Sequence, residues 1–243
     1  MNLLLFAPEE LLPDGTAVIS GRRLKQLREV IKAAPGKLCK AGVLNGAVGR
    51  AELLEIDERE AKLRFEAQSA PPEPLDVTLL CALPRPLTFA KVLHGAVTCG
   101  VKRLHFFHSA KVEKSYWQSS KLAPETIREE LLLALEQCAD TVMPELFFHR
   151  RFRSFVEDEV PKLTPEGALK FFGAPAASEP VPVGAARRAP VVLAVGPEGG
   201  FNDFEERLWR DSGFAAVTLG PRILRSEFAV NALLSVLGVA EAR

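Results

Sequence analysis

Two five-residue apolar blocks, each running straight into a Gly-Pro pair, constrain this chain more than any other feature. Val191-Val192-Leu193-Ala194-Val195 precedes Gly196-Pro197, and Ala215-Ala216-Val217-Thr218-Leu219 precedes Gly220-Pro221. A short apolar run rich in β-branched residues fits a strand buried on both faces, as in a parallel sheet. Between the blocks, Asn202 stands three residues ahead of Glu205, the spacing of a reciprocal helix cap, and Gly213 supplies a stop. An apolar helix begins near Phe228. The order is strand, glycine loop, helix, strand, glycine-proline loop, helix.

In parallel α/β sheets ligands bind beyond the carboxyl ends of the strands, so the two loops should share one pocket. Glycines there let a ligand approach the main chain. Neither G-x-x-x-x-G-K-[ST] nor G-x-G-x-x-G is present, which argues against the usual cradles for nucleotide phosphates. Plain turns would also account for each Gly-Pro pair taken alone. The clustering of Arg222, Arg225 and Glu227 behind the second loop points to chemistry instead.

Gly196-Pro197-Glu198-Gly199-Gly200-Phe201, with Leu219-Gly220-Pro221-Arg222-Ile223-Leu224-Arg225-Ser226-Glu227, closely resembles the two signature loops of the RsmE family. Members are SPOUT-class methyltransferases acting on N3 of a uridine in 16S (small-subunit) ribosomal RNA. The resemblance implies an α/β fold, a SPOUT-type parallel sheet with a C-terminal trefoil knot, preceded by a small PUA-like β-barrel that binds RNA. It also implies bound S-adenosyl-L-methionine, a homodimer that completes the site, and no metal. The cofactor residues it implies are Phe172, Val195, Gly196, Pro197, Glu198, Gly199, Gly200, Leu219, Gly220, Arg222, Ile223, Leu224 and Arg225.

The chemistry of such a reaction narrows the catalytic candidates. A sulfonium already activates its methyl group, so the protein must orient the base and favour loss of the N3 proton. The resulting charge spreads over two ring carbonyls, which a guanidinium would stabilise. Arg225 is the first candidate and Arg222 the second. Glu198 or Glu227 would accept the proton or hold an arginine in place, and sequence does not separate these roles.

The 243 residues, 47% of them hydrophobic, suffice for one large or two small domains. Leu3-Leu4-Leu5-Phe6 is too short for a membrane span and lacks the basic flank and cleavage site of a signal peptide, so a cytoplasmic protein is expected. Cys39, Cys81, Cys99 and Cys138 form no C-x-x-C pair, and His94, His105, His108 and His149 show no metal-ligand spacing.

Formal net charge is zero, yet between residues 20 and 50 the basic residues Arg22, Arg23, Lys25, Arg28, Lys32, Lys37, Lys40 and Arg50 face Glu29 alone. Arg22, Arg23, Lys25 and Arg28 are therefore candidate RNA contacts, the alternative being a solvated basic face. A short helix over 22–31 and strands over 37–44, 47–56 and 61–66 are expected here, with Asn45-Gly46 as a hairpin signal. The Pro-rich stretch 69–74 reads as a linker, giving domains over 1–70 and 75–243.

Beyond the linker, strands over 75–83, 101–107 and 146–149 alternate with helices over 88–99 and 124–139. Residues 165–172 read as helix passing into strand, and 174–189, rich in Pro, Ala and Gly, as an exposed loop. Glu136-Gln137 and Pro144 match the family, whereas Gly95, Thr98 and Asp140 stand where many members carry Lys, Glu and Arg. Those departures motivate the alternative of a non-catalytic, knotted RNA-binding or ribosome-assembly protein. Tyr116 and Trp117, beside Lys111 and Lys114, either stack on a base or pack locally. In the last helix Phe228, Ala232, Val236 and Ala240 share one stripe, with apolar residues around the rest, which suits a two-fold interface or a core position.

Overall fold

The computed structural model describes residues 2–239. They divide into two units: one runs to Glu73 and adds Leu131–Met143, and the other takes Pro74–Glu130 and the chain from Pro144 onward.

The first unit is a five-stranded sheet in the order β1-β3-β4-β5-β2. It comprises β1 (Leu4–Phe6), β2 (Thr16–Ile19), β3 (Leu38–Val43), β4 (Val48–Ile56) and β5 (Ala61–Ser69). Alternate residues of the longer strands turn inward, so Ala51, Leu53, Ala61 and Leu63 pack with Leu4, Phe6, Ala17 and Ile19. The turn after β3 forms where Asn45-Gly46 signals it: Asn45 takes the left-handed conformation (φ 57°) and Gly46 N–H donates to Val43 C=O at 2.8 Å. β1 and β2 have no counterpart among the expected strands. They are three and four residues long, too short for periodicity to register. Helix α1 (Gly21–Lys25) runs on as π-helical turns over Gln26–Ile31.

Two of the four candidate RNA contacts correct the count of charge along the segment. Arg22 makes a two-pronged ion pair with the buried Glu136 (2.7 and 2.8 Å), and Arg23 is clamped by Glu10 while donating to Leu5 C=O at 2.8 Å. Both partners lie outside the segment, so counting charge from 20 to 50 overstates the basic surface. Lys25 meets Glu29 at 3.9 Å in the open, and Arg28 donates to Glu58 C=O at 3.4 Å. Glu136 C=O also accepts the amides of Asn2 and Leu3. Removing Arg22 leaves a buried carboxylate without its partner, a change that destabilises even where the cation itself is half-exposed. Arg22→Ala is expected to lower the unfolding free energy by about 2 kcal/mol, read as a shift in urea midpoint at unchanged slope.

The second unit is a six-stranded parallel sheet in the order β11-β9-β10-β6-β7-β8. Its strands are β6 (Val77–Ala82), β7 (Arg103–Phe107), β8 (Glu145–His149), β9 (Leu169–Gly173), β10 (Val191–Val195) and β11 (Ala215–Val217). β6 and β10 are buried at every position; the run of β10 is wholly apolar and that of β6 is interrupted only by Thr78. Its helices include α2 (Pro86–Thr98) and the start of α3 (Pro124–Cys138), then α4 (Phe152–Ser154) and α5 (Val160–Leu163) with π-helical turns between them, α6 (Asp203–Asp211) and α7 (Ser226–Gly238).

Residues 165–168 form a turn rather than a helix, and 174–189 is a loop exposed only in part. Ala174 donates to Val217 C=O, Thr218 to Glu179 C=O and Val181 to Thr218 C=O, and Ala185 and Ala186 are buried. α7 buries Val230, Leu233, Leu234 and Leu237 while Phe228 stays 58% exposed, and Ala240 lies outside the described residues. Gly95 has a packing reason: a Cβ there would stand 1.7 Å from the Asn231 side chain of α7. Asp140 is buried, its Oδ1 accepting from Val142 N–H at 2.9 Å.

His105, at the centre of β7, meets His149 Nε2 through its Nδ1 at 3.0 Å and stacks on Phe147. Burial, and then the charges of His149 and Arg103, push His105 down to about 4. The folded state thus resists a proton that the unfolded chain takes up near pH 6.5. Stability from this pair is intact at neutral pH, declines as pH falls through 6.5, and stops declining near 4. Urea midpoints between pH 8 and 4 should show that limb, and His105→Phe should flatten it.

Candidate active site

β10 delivers Val195 to the loop that begins at Gly196, and Gly200 N–H closes a turn onto Pro197 C=O at 2.8 Å. Asn202 then caps α6 as its spacing predicts: Asn202 Oδ1 accepts from Glu205 N–H (2.9 Å) and Glu205 Oε2 accepts from Asn202 N–H (3.0 Å). The other oxygen of this buried carboxylate accepts from Ala110 N–H at 2.8 Å, tying in the loop after β7. The second loop starts after β11. Gly220 has φ 111°, a conformation that side chains disfavour, and its N–H donates to Thr218 Oγ1 at 3.1 Å.

The two loops face each other across a cavity of about 350 Å³. Val195, Gly196, Pro197, Glu198, Gly199, Gly200, Leu219, Gly220, Arg222, Ile223 and Leu224 all line it. Phe172 and Arg225 do not. Phe172 is fully buried, edge-on to Phe201 with the Arg210 guanidinium over its ring, so it supports the wall from behind. Arg225 is exposed at the N-cap of α7. Glu198 is exposed on the rim and accepts from Arg85 N–H at 3.1 Å, whereas Glu227 is buried and pairs with Lys91 at 3.7 Å. Burial, and then the charge of Glu198, push the Cys81 thiol far up, so that cysteine stays protonated beneath the rim.

Sequence reasoning missed the third side of the cavity, Gly173, Ala174, Pro175 and Ala176, which no composition or spacing rule marks as a wall. It gave no sign of the neighbour of Gly199. A Cβ there would stand 2.8 Å from Lys111 Cδ, and the Lys111 ammonium donates to Gly199 C=O at 2.6 Å. Gly199 is small on the Lys111 side.

The cavity can hold a nucleoside-sized ligand. Its lining is largely apolar. Among the described residues nothing takes the amide N–H of Leu219, Ile223 or Leu224, all at the cavity wall. Unspent amides beside an apolar floor suit an adenosine ring that needs both stacking and hydrogen bonds. Among the described residues no cluster of three or more His, Cys, Asp or Glu could hold a metal ion, and no helix is long and apolar enough to cross a membrane.

Fold and cavity together define an α/β protein whose ligand site lies where paired loops leave the carboxyl ends of a parallel sheet. The chain belongs to the RNA methyltransferase domain family, which it matches over residues 71–238. The ribosomal RNA small subunit methyltransferase E of Treponema pallidum is 29% identical over 245 residues, spanning 98% of this chain and 90% of that protein. Its namesake from Synechocystis sp. is 28% identical over 243 residues, 95% of this chain and 77% of that protein. The fold is shared with a ribosomal RNA small subunit methyltransferase E from Neisseria gonorrhoeae, whose crystal structure contains S-adenosyl methionine. The TM-score is 0.75 at 22% identity, over 96% of this chain and 95% of that one. The RsmE resemblance carried by the two loops thus extends along nearly the whole chain.

Proposed function

We propose that the chain transfers a methyl group from S-adenosylmethionine to N3 of a uridine in small-subunit ribosomal RNA, in the cytoplasm. The observation that carries this reading is the convergence of the two signature loops on one cavity with unspent amides at its wall. The names of the two full-length relatives support the substrate class. When bound, S-adenosylmethionine supplies a methyl on a sulfonium. The protein's part is to hold the uridine in line with it, stabilise the ring carbonyls as N3 loses its proton, and receive that proton. Arg225 and Arg222 follow the second loop and are assigned the charge. Glu198, on the cavity rim, is assigned the proton ahead of Glu227, which Lys91 already engages.

The sheet order, in which β9 lies between β10 and β11 although β10 and α6 intervene in sequence, supports a C-terminal trefoil knot of the SPOUT kind. The exposed Ile223, Leu224 and Phe228 support a second copy of the chain at this end of the unit. The first unit is read as the PUA-like RNA-binding barrel. With Arg22 and Arg23 held by carboxylates, its RNA contacts fall to Lys25, Arg28 and the remaining lysines.

Radiolabelled methyl transfer to small ribosomal subunits from a strain lacking the activity tests the reading. A methyl at N3 blocks the pairing edge of the base, so the product should also stop reverse transcription at one uridine. A protein that only binds RNA would leave neither label nor stop.

A further inference from the structure

The loops that leave β10, β6 and β7 are neighbours, because those three strands are adjacent in the sheet. All three are fastened together at the glycine loop. Glu198 accepts from Arg85 N–H, Lys111 donates to Gly199 C=O, and Glu205 accepts from Ala110 N–H. The result is a fixed ledge that shares Glu198 and Gly199 with the cavity. Arg85 and Lys111 are exposed on it. Tyr116 stands partly exposed beside them, its hydroxyl donating to Glu113 at 3.0 Å, with the Arg85 guanidinium approaching the same oxygen. Trp117 is spent elsewhere: its indole N–H donates to His108 at 3.0 Å and the Arg150 guanidinium covers its ring.

None of Arg85, Lys111 or Tyr116 lines the cavity, yet Arg85 and Lys111 each hydrogen-bond a residue that does, and Tyr116 stands beside Arg85. Two cations and an aromatic ring on a preformed edge have the chemistry that takes a single-stranded RNA backbone and one of its bases. A lysine ammonium carries three donors, so Lys111 keeps two after serving Gly199. We propose that this ledge seats the acceptor strand, with Arg85 and Lys111 on a phosphate next to the target uridine and the Tyr116 ring against a neighbouring base. The proposal rests on the reading of the chain as an RNA methyltransferase that uses S-adenosylmethionine. It adds that the acceptor enters over Glu198 from the β6–β7 side.

Arg85 ties down Glu198 through its backbone, so its side chain can be removed without untying the loop. In the full-length protein, Arg85→Gln and Tyr116→Leu should bind S-adenosylmethionine within about two-fold of the unaltered chain. Each should raise KM for unmodified small subunits by roughly five-fold or more. Arg85→Gln should also flatten the dependence of log KM on log salt by about 0.7, the share of one phosphate contact on a single strand. Tyr116→Phe, which keeps the ring, should stay near the unaltered value and controls for folding. If KM and salt slope in both Arg85→Gln and Tyr116→Leu equal those of the unaltered chain, the ledge is not the acceptor seat. If the unaltered chain transfers no methyl to the subunits, the methyltransferase reading falls and the ledge falls with it.

Discussion

Gly220→Val is expected to abolish S-adenosylmethionine binding while leaving thermal stability nearly unchanged. A Cβ at Gly220 would meet no protein atom within 4 Å, so packing is not the obstacle. The obstacle is the backbone: at φ 111° a β-branched residue is strained by about 1–3 kcal/mol, which the loop would relieve by changing shape. Strain of that size already spans roughly 5- to 150-fold in affinity, and the valine methyls would also stand in space at the cavity wall. Calorimetric titration with S-adenosylmethionine, beside a melting curve, checks both halves of the expectation. Gly199→Val makes the contrast. Its Cβ points at the flexible end of Lys111 rather than into the cavity, so the lysine can swing aside and a smaller loss is expected. Full-strength binding in Gly220→Val would remove the second loop from the cofactor site.

The second large effect concerns rate rather than binding. Arg225→Ala should slow methyl transfer by roughly two orders of magnitude or more, the scale of losing one preorganised partner for developing charge. Because Arg225 is exposed and absent from the cavity wall, its removal should leave S-adenosylmethionine affinity close to that of the unaltered chain. Arg222 does line the cavity, and Arg222→Ala should weaken binding as well as rate. Single-turnover transfer at saturating small subunits separates the two. A rate for Arg225→Ala equal to that of the unaltered chain would take this arginine out of the mechanism.

What was legible in the sequence was local. The reciprocal cap between Asn202 and Glu205 is a three-residue rule, and it stands at 2.9 and 3.0 Å. β10 read as buried because nothing polar interrupts it, and every one of its residues is enclosed. Eleven of the thirteen cofactor positions expected from the resemblance reach the cavity, since they sit on the two loops themselves. The two that miss it, Phe172 and Arg225, lie at the ends of neighbouring elements, where one residue of offset turns a side chain away from the cavity.

What was not legible depends on pairs distant along the chain. Arg22 finds Glu136 at a separation of 114 residues, and Lys111 finds Gly199 at 88. A count of charge within one segment cannot register the first, and a loop motif cannot register the second. Gly95 illustrates the same limit from the other side. As a departure from the family it suggested lost chemistry, but the Asn231 side chain fills the space that a Cβ would need.

The buried carboxylate of Glu205 has a further consequence for motion. One oxygen holds the start of α6 and the end of the first glycine loop, and the other holds the loop after β7. Opening of either loop takes one partner from a buried carboxylate that also holds the other, so the two loops are coupled through one side chain. Loosening of the cavity rim is therefore expected to weaken the ledge beyond it as well.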